Sequence, residues 1–298
     1  VTLDADGSAE LTEALALLSR LRFITRKRKR GGTWGERRST RRGAGLEFAD
    51  YRDYTPGDDP RRVDWNLYAR LDRLYVRLHE EEEDLAVMVL LDGSASMAWG
   101  EGDTARWPAV QRLAAAFGTM ALLGGDALWG AALHTTHAFW GPGRGRGLLP
   151  GWQTWCTSAM PSGTISLADA LRDIASRTHR PGLALLLTDG YDPDGLRTGL
   201  AALAGRGHEV VLLHLLTPDE LTPTLRGDLR LVDSETGDKR EVTVDGAALD
   251  AYHRRLTDWQ AELRALAGKH GGRYALLRTD VPLRRMLLED LRKARIVS

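Results

Sequence analysis

The chain reads as an α/β protein: a parallel sheet flanked by helices, with an N-terminal helix and a small β-rich module ahead of it. Three observations carry that expectation. The first is a pair of short apolar runs, Leu85 to Leu91 and Leu183 to Leu187. Runs of that kind are strands covered on both faces, the usual state of a parallel sheet. The second is the alternation of strand patterns with amphipathic helical ones from Leu85 onward, as βα units require. The third is how the two runs stop. Asp92-Gly93-Ser94 and Asp189-Gly190 put small and polar residues at strand ends, where open α/β sheets bind ligands.

Taken in order, residues 1–42 are an N-terminal helix and a basic arm. Leu11 to Ile24 has helical spacing of Leu, Ala and Phe, with Ser8 as its cap. That helix is expected to run on into Arg26-Lys27-Arg28-Lys29-Arg30, and Arg37, Arg38, Arg41 and Arg42 follow a Gly-Gly-Thr-Trp loop. A basic cluster interrupted by Gly and Trp can contact phosphate backbones. The plainer reading is a solvated arm whose charges pair with acids such as Glu80 to Asp84. No Gly-Lys-Ser or Gly-Lys-Thr completes a phosphate loop there.

Residues 43–84 form a turn-rich module. Pro56-Gly57 marks a tight turn, Asp58, Asp59 and Asp64 alternate with Arg61 and Arg62, and Leu74 to Leu78 is a strand. The acids and arginines are expected to make ion pairs and turn caps.

Residues 85–298 are the α/β domain. After the first strand comes a helix from Ala105 to Leu123, closed by Gly124-Gly125-Asp126. Strands at Ala127 to Leu133 and His137 to Trp140 lead into the glycine-rich loop GPGRGRG. Helices at Leu167 to Ser176 and Leu196 to Ala204 enclose the second apolar strand, and Glu209 to Leu216 is a third. A polar excursion at 217–245 holds two hairpin pieces, LRLVD and REVTV, around Glu235-Thr236-Gly237-Asp238. The pattern closes with a helix from Ala247 to Ala267, a strand from Arg273 to Leu277 and a helix from Val281 to Ala294.

Composition narrows the class. A chain of 298 residues with 43% hydrophobic and 28% charged residues can bury a substantial core as an ordinary soluble protein. Its formal net charge of +0 offers no global field to nucleic acid or membrane. One cysteine, Cys156, excludes an internal disulfide and a cysteine-based zinc cluster. The apolar runs fall short of the about 20 residues a membrane helix needs. VTLDADGSAEL lacks the basic and apolar regions of a signal peptide, so the expected location is the cytoplasm.

The strand ends carry the chemistry. Asp92, Ser94 and Ser96 are hard oxygen donors, suited to Mg²⁺ or Mn²⁺ rather than zinc. Alone they fit equally a polar turn capping the next helix. Thr164 in the Gly-containing loop PSGTISLADAL and the second strand-end acid, Asp189, change the balance. An Asp-x-Ser-x-Ser, a loop Thr and a second strand-end Asp resemble the metal-ion-dependent adhesion site of von Willebrand factor A-type domains. The resemblance implies a von Willebrand factor A-like, Rossmann-like sheet. It also implies that Ser94 and Ser96 bind a cation directly, and Thr164 directly or through water. Asp92 and Asp189 would hold the cation or its waters, leaving one position for an acidic side chain of a partner.

The module before the sheet adds a second resemblance. Gly45-Leu46-Glu47-Phe48, Tyr51-Arg52-x-Tyr54, Pro56-Gly57-Asp58-Asp59, Arg62-Val63-Asp64-Trp65, Ala69-Arg70 and the glutamates before Leu85 are similar to a bacterial family numbered fifty-eight among domains of unknown function. The match continues through the DGSASM and TDG strand ends and the SGT loop. It implies an adaptor, not an enzyme, working beside a MoxR-type AAA+ ATPase or its client. Two positions depart from the pattern: Gly93 stands where an aliphatic residue is usual, and Ile165 where an acid is common.

Other constellations read as structural. Asp192 and Asp194 in DGYDPDG lack the spacing of a calcium loop and fit loop and cap roles. His134 and His137 have no third His or Cys to complete a metal site. Trp99 and Trp107 flank the Asp92 turn and suit a partner-binding rim. Two other functional classes stay open. One is a Mg²⁺-dependent hydrolase or phosphatase with Asp92 as nucleophile or base, although Ser94 stands where a second carboxylate is needed. The other is nucleic-acid binding by the basic arm.

Overall fold

The computed structural model describes residues 14–25, 48–56, 58, 60, 63–79, 85–134, 136–178, 180–232 and 237–298. The chain divides into two compact units, Arg28–Asp84 and the remainder. Ser8, the arm from Arg26 to Arg42, residues 45–47, Gly57, Asp59, Arg61, Arg62, Glu80 to Asp84, Glu235 and Thr236 lie outside the described residues.

Helix α1 covers residues 14–20. The expected continuation into the arginine run does not occur. Residues 22–24 turn extended instead: Phe23 bridges Val297, and Ile24 N–H donates to the Ile296 carbonyl at 2.9 Å. A backbone partner far along the chain wins over local helical spacing.

In the small unit, β1 (Phe48–Asp53) pairs antiparallel with β2 (Tyr75–His79). Between them lies a helix that the sequence reading did not expect, α2 (Trp65–Leu71). Asp64 caps it, accepting from the N–H groups of Asn66 and Leu67. Asp58 accepts from the Thr55 N–H and hydroxyl, so these two acids hold turns as expected. The helix was hidden because Trp65 and Leu71 are exposed and no apolar stripe marks a buried face.

The large unit is a mixed α/β structure built on a six-stranded sheet. Its strands are β3 (Ala86–Asp92), β4 (Ala127–Leu133), β5 (Ala138–Gly143), β6 (Leu183–Thr188), β7 (Glu209–Leu216) and, after a separate hairpin, β10 (Arg273–Arg278). The order is β10-β7-β6-β3-β4-β5, and only β5 runs antiparallel to its neighbour. The hairpin is β8 (Gly227–Val232) with β9 (Lys239–Val244), as the polar excursion suggested.

Successive strand residues face opposite sides. Val87, Val89 and Leu91 join one core with α3 (Arg106–Leu123), α4 (Leu149–Ser158) and the C-terminal residues Leu287, Leu291 and Ile296. Met88 and Leu90 join the other, with α5 (Leu167–Arg177), α6 (Pro193–Gly205) and Leu263 of α8 (Gly246–Lys269). Truncating a fully buried side chain such as Leu90 to alanine costs about 2–5 kcal/mol here.

Helix α4 was not expected from the sequence. Its Trp152 is fully buried, stacks on Trp155 and donates its indole N–H to the Ala114 carbonyl at 3.1 Å. Only glycine suits position 118 of α3, since a Cβ there would lie 2.1 Å from the Trp152 ring. Among the described residues, no helix is long and apolar enough to cross a membrane.

The chain leaves β3 through α3 on one face and β6 through α6 on the other. Neighbouring strands whose following helices diverge in this way open a crevice at their carboxyl ends. Asp92 and Asp189 stand there.

Candidate metal centre

Asp92 is the last residue of β3, and burial leaves it 1% exposed. Its Oδ1 accepts the Ser94 N–H at 3.1 Å and its Oδ2 accepts the Thr188 hydroxyl at 2.6 Å. Thr188 Oγ1 in turn accepts the Gly190 N–H at 3.0 Å. Ser94 and Ser96 share a hydroxyl–hydroxyl bond of 3.0 Å, and Ser96 donates to Asp189 Oδ2 at 2.7 Å. Four of the five expected ligands therefore form one buried hydrogen-bonded chain across the ends of β3 and β6, joined through the Ser94 N–H and the two serine hydroxyls.

Thr164 arrives differently. Its loop is pinned to the Asp92 turn by two backbone bonds, Ser162 N–H to Gly93 O and Ala95 N–H to Gly163 O, both 2.8 Å. The Thr164 side chain is exposed and has no hydrogen-bond partner among the described residues.

The departure at Gly93 has a local reason. A Cβ there would lie 2.3 Å from both the Leu133 carbonyl oxygen and the His134 ring. The turn thus presses against the end of β4, and His134 fills the space that a side chain would take. His137 Nδ1 accepts the His134 N–H at 3.2 Å, which accounts for this pair structurally. Asp192 caps α6 by accepting from Gly195 N–H, as expected.

Sequence reasoning missed three charged or polar residues. Arg106 is fully buried; one terminal nitrogen donates to the Ser96 carbonyl and to Asp189 Oδ2, both at 2.6 Å, and the other to Glu220 Oε1. Glu220 Oε2 accepts the Thr217 N–H at 2.8 Å and the Thr217 hydroxyl at 3.0 Å. Tyr191 donates its hydroxyl to Glu220 at 2.6 Å and stacks on Trp259. The Thr217-x-x-Glu220 spacing of a capping box was a readable signal. Arg106 had one as well, a lone charge between Ala105 and Trp107 at the head of an apolar helix. Trp107 itself is core, donating to the Ala159 carbonyl at 2.9 Å, whereas Trp99 is 53% exposed.

The electrostatics follow from burial. Desolvation, and then the charge of Asp189, push the Asp92 carboxyl up to about 6. Burial raises Asp189 too, against the pull of Arg106. Burial also works to raise Glu220, but Arg106, the Thr217 N–H and Tyr191 outweigh it and hold that carboxyl below its ordinary value. Desolvation lowers His214 to about 4, so it is neutral at pH 7.

The Arg106 guanidinium therefore pairs with two of the three buried carboxyls, Asp189 and Glu220, while Asp92 is held by Ser94 and Thr188. The side chains at the crevice are hard oxygens. Among the described residues no group of three or more His, Cys, Asp or Glu could hold a metal. A donor set of two carboxylates with hydroxyls fits Mg²⁺ or Mn²⁺ by its chemistry.

Fold and site together define a class: a mostly parallel α/β sheet with an oxygen-lined crevice between its two central strands. The family model described as "Protein of unknown function DUF58" matches residues 50–262, and the chain belongs to that family. The uncharacterized protein Rv1480 of Mycobacterium tuberculosis is 28% identical over 281 residues, covering 92% of this chain and 87% of the relative. The uncharacterized protein Mb1516 of Mycobacterium bovis matches to the same extent. Among solved structures, the conserved hypothetical protein BatB from Bacteroides thetaiotaomicron aligns with a TM-score of 0.43 at 17% identity. That alignment covers 65% of this chain and 90% of the other.

Proposed function

We propose that this protein is a metal-ion-dependent protein-binding adaptor with a von Willebrand factor A-like domain. Its cation is Mg²⁺ or Mn²⁺, held by Asp92, Ser94, Ser96, Thr164 and Asp189. The partner is a MoxR-type AAA+ ATPase or its client, which supplies a carboxylate. The observation that carries the proposal is the buried hydrogen-bonded chain from Asp92 through Ser94 and Ser96 to Asp189 at the ends of two neighbouring strands.

A divalent cation bound there supplies the positive charge that draws a partner's carboxylate. The protein's own residues do the rest. The Ser94 N–H and Thr188 orient Asp92, and Arg106 orients Asp189. The backbone bonds of residues 93, 95, 162 and 163 keep the Thr164 loop at the rim. Both Asp92 oxygens already accept bonds from the protein, which favours a ligand or positioning role over attack on a substrate.

Calorimetric titration of metal-free protein with Mg²⁺ and Mn²⁺ tests the reading, beside Asp92→Ala and Thr164→Ala. Saturable binding in the wild type that weakens in both variants is the expected result. A wild type that binds neither ion overturns it.

A further inference from the structure

Arg106 is an unusual companion for a cation site. It starts helix α3, is fully buried, and spans three elements: the Ser96 turn, the Asp189 strand end and Glu220. Asp189 Oδ2 receives both the guanidinium and the Ser96 hydroxyl. A buried arginine in that position does two separable things. It ties the Ser96 turn to Asp189, two of the proposed ligands, and it sets a positive charge beside Asp189 and Glu220.

We propose that Arg106 is the resident cation of this centre, a positioning residue that also tunes the site's charge toward a divalent ion. The inference rests on the Mg²⁺ reading above. Without Arg106, Asp189 and Glu220 lose the guanidinium they share, and the site would favour an ion of higher charge. Glu220 acts in the opposite sense: it holds Arg106 from behind and adds a negative charge.

The test compares Mg²⁺ calorimetry with Tb³⁺ luminescence titration on the full chain, both at one fixed pH of about 7.5. The readout is the ratio of Tb³⁺ to Mg²⁺ affinity, which cancels a general loosening of the site. One unit charge a few ångströms away, seen through an effective dielectric near 20, changes that ratio by about a hundredfold to a thousandfold. Arg106→Met is expected to raise the ratio by at least about tenfold. Arg106→Lys, which restores the charge but not the fork, is expected to return it toward the wild-type value.

Glu220→Gln keeps Arg106 and removes one negative charge, so it is expected to lower the ratio; this variant decides the matter if Arg106→Met does not fold. A ratio unmoved in Arg106→Met, or in Glu220→Gln where that variant decides, overturns the proposal and leaves Arg106 a structural clamp. A wild type that binds neither ion overturns the Mg²⁺ reading itself, and this inference falls with it.

Discussion

The Thr188 hydroxyl donates to Asp92 Oδ2 at 2.6 Å, joining the last residues of two neighbouring parallel strands. Thr188 Oγ1 also accepts the Gly190 N–H, so one hydroxyl ties a carboxylate of β3 to the turn that follows β6. The two strand ends are thereby held as one rim.

Thr188→Val keeps the shape and removes the hydroxyl. It leaves Asp92 with one fewer donor and Gly190 N–H without its acceptor, both in a buried place. The expected loss is about 1–3 kcal/mol of unfolding free energy in urea denaturation. A change within error would mean that the bond contributes nothing net.

Asp92 gives the metal-free protein a defined pH response. A carboxyl raised from 3.8 to about 6 in the fold stabilises it below pH 3.8, and that contribution is lost as pH rises through about 6. A cation competes with the proton, so its stabilising effect grows over the same window. Melting curves with Mg²⁺ and with chelator, taken from about pH 5 to about pH 8, should diverge as pH rises through about 6. Asp92→Asn should abolish the divergence.

Thr164→Ala separates folding from binding. The side chain is exposed and, among the described residues, without a hydrogen-bond partner, so stability should stay within about 0.5 kcal/mol of wild type. Mg²⁺ affinity should nevertheless fall, read by calorimetry. Equal affinity in the two proteins would remove Thr164 from the ligand set.

Gly93→Ala probes the press of the turn on β4. A Cβ 2.3 Å from the Leu133 carbonyl cannot be accommodated without moving backbone. Overpacking of this kind costs about 1–3 kcal/mol, and the displaced turn should weaken Mg²⁺ binding as well. A fully stable variant would show that the turn can slide.

What could be read from the sequence divides along a physical line. Strands β3 and β6 were legible because burial on both faces leaves an unbroken apolar run, and their ends marked Asp92 and Asp189. Helix α4 was not, since Pro150 and Gly151 open it and its cohesion comes from Trp152 packing on Trp155 and Trp140. The Arg106–Glu220 pair was not legible either. Its members stand 114 positions apart, and nothing local to Arg106 announces a carboxylate from beyond β7. The Ser94, Ser96 and Asp189 contacts follow from strand order, whereas the buried guanidinium among them follows from packing.

The backbone bridge that joins residues 22–24 to 296–298 sets an order of events during synthesis. Ser298 donates its N–H to the Arg22 carbonyl at 3.0 Å, a pairing between residues 276 positions apart. Arg273 donates to the Ile24 carbonyl as well. Residues 22–24 therefore leave the ribosome long before their partners exist. Contacts of such long range form slowly and last, so segment 22–24 gains its final backbone partners only at the end of synthesis, although Phe23 can already pack on Phe117 of α3.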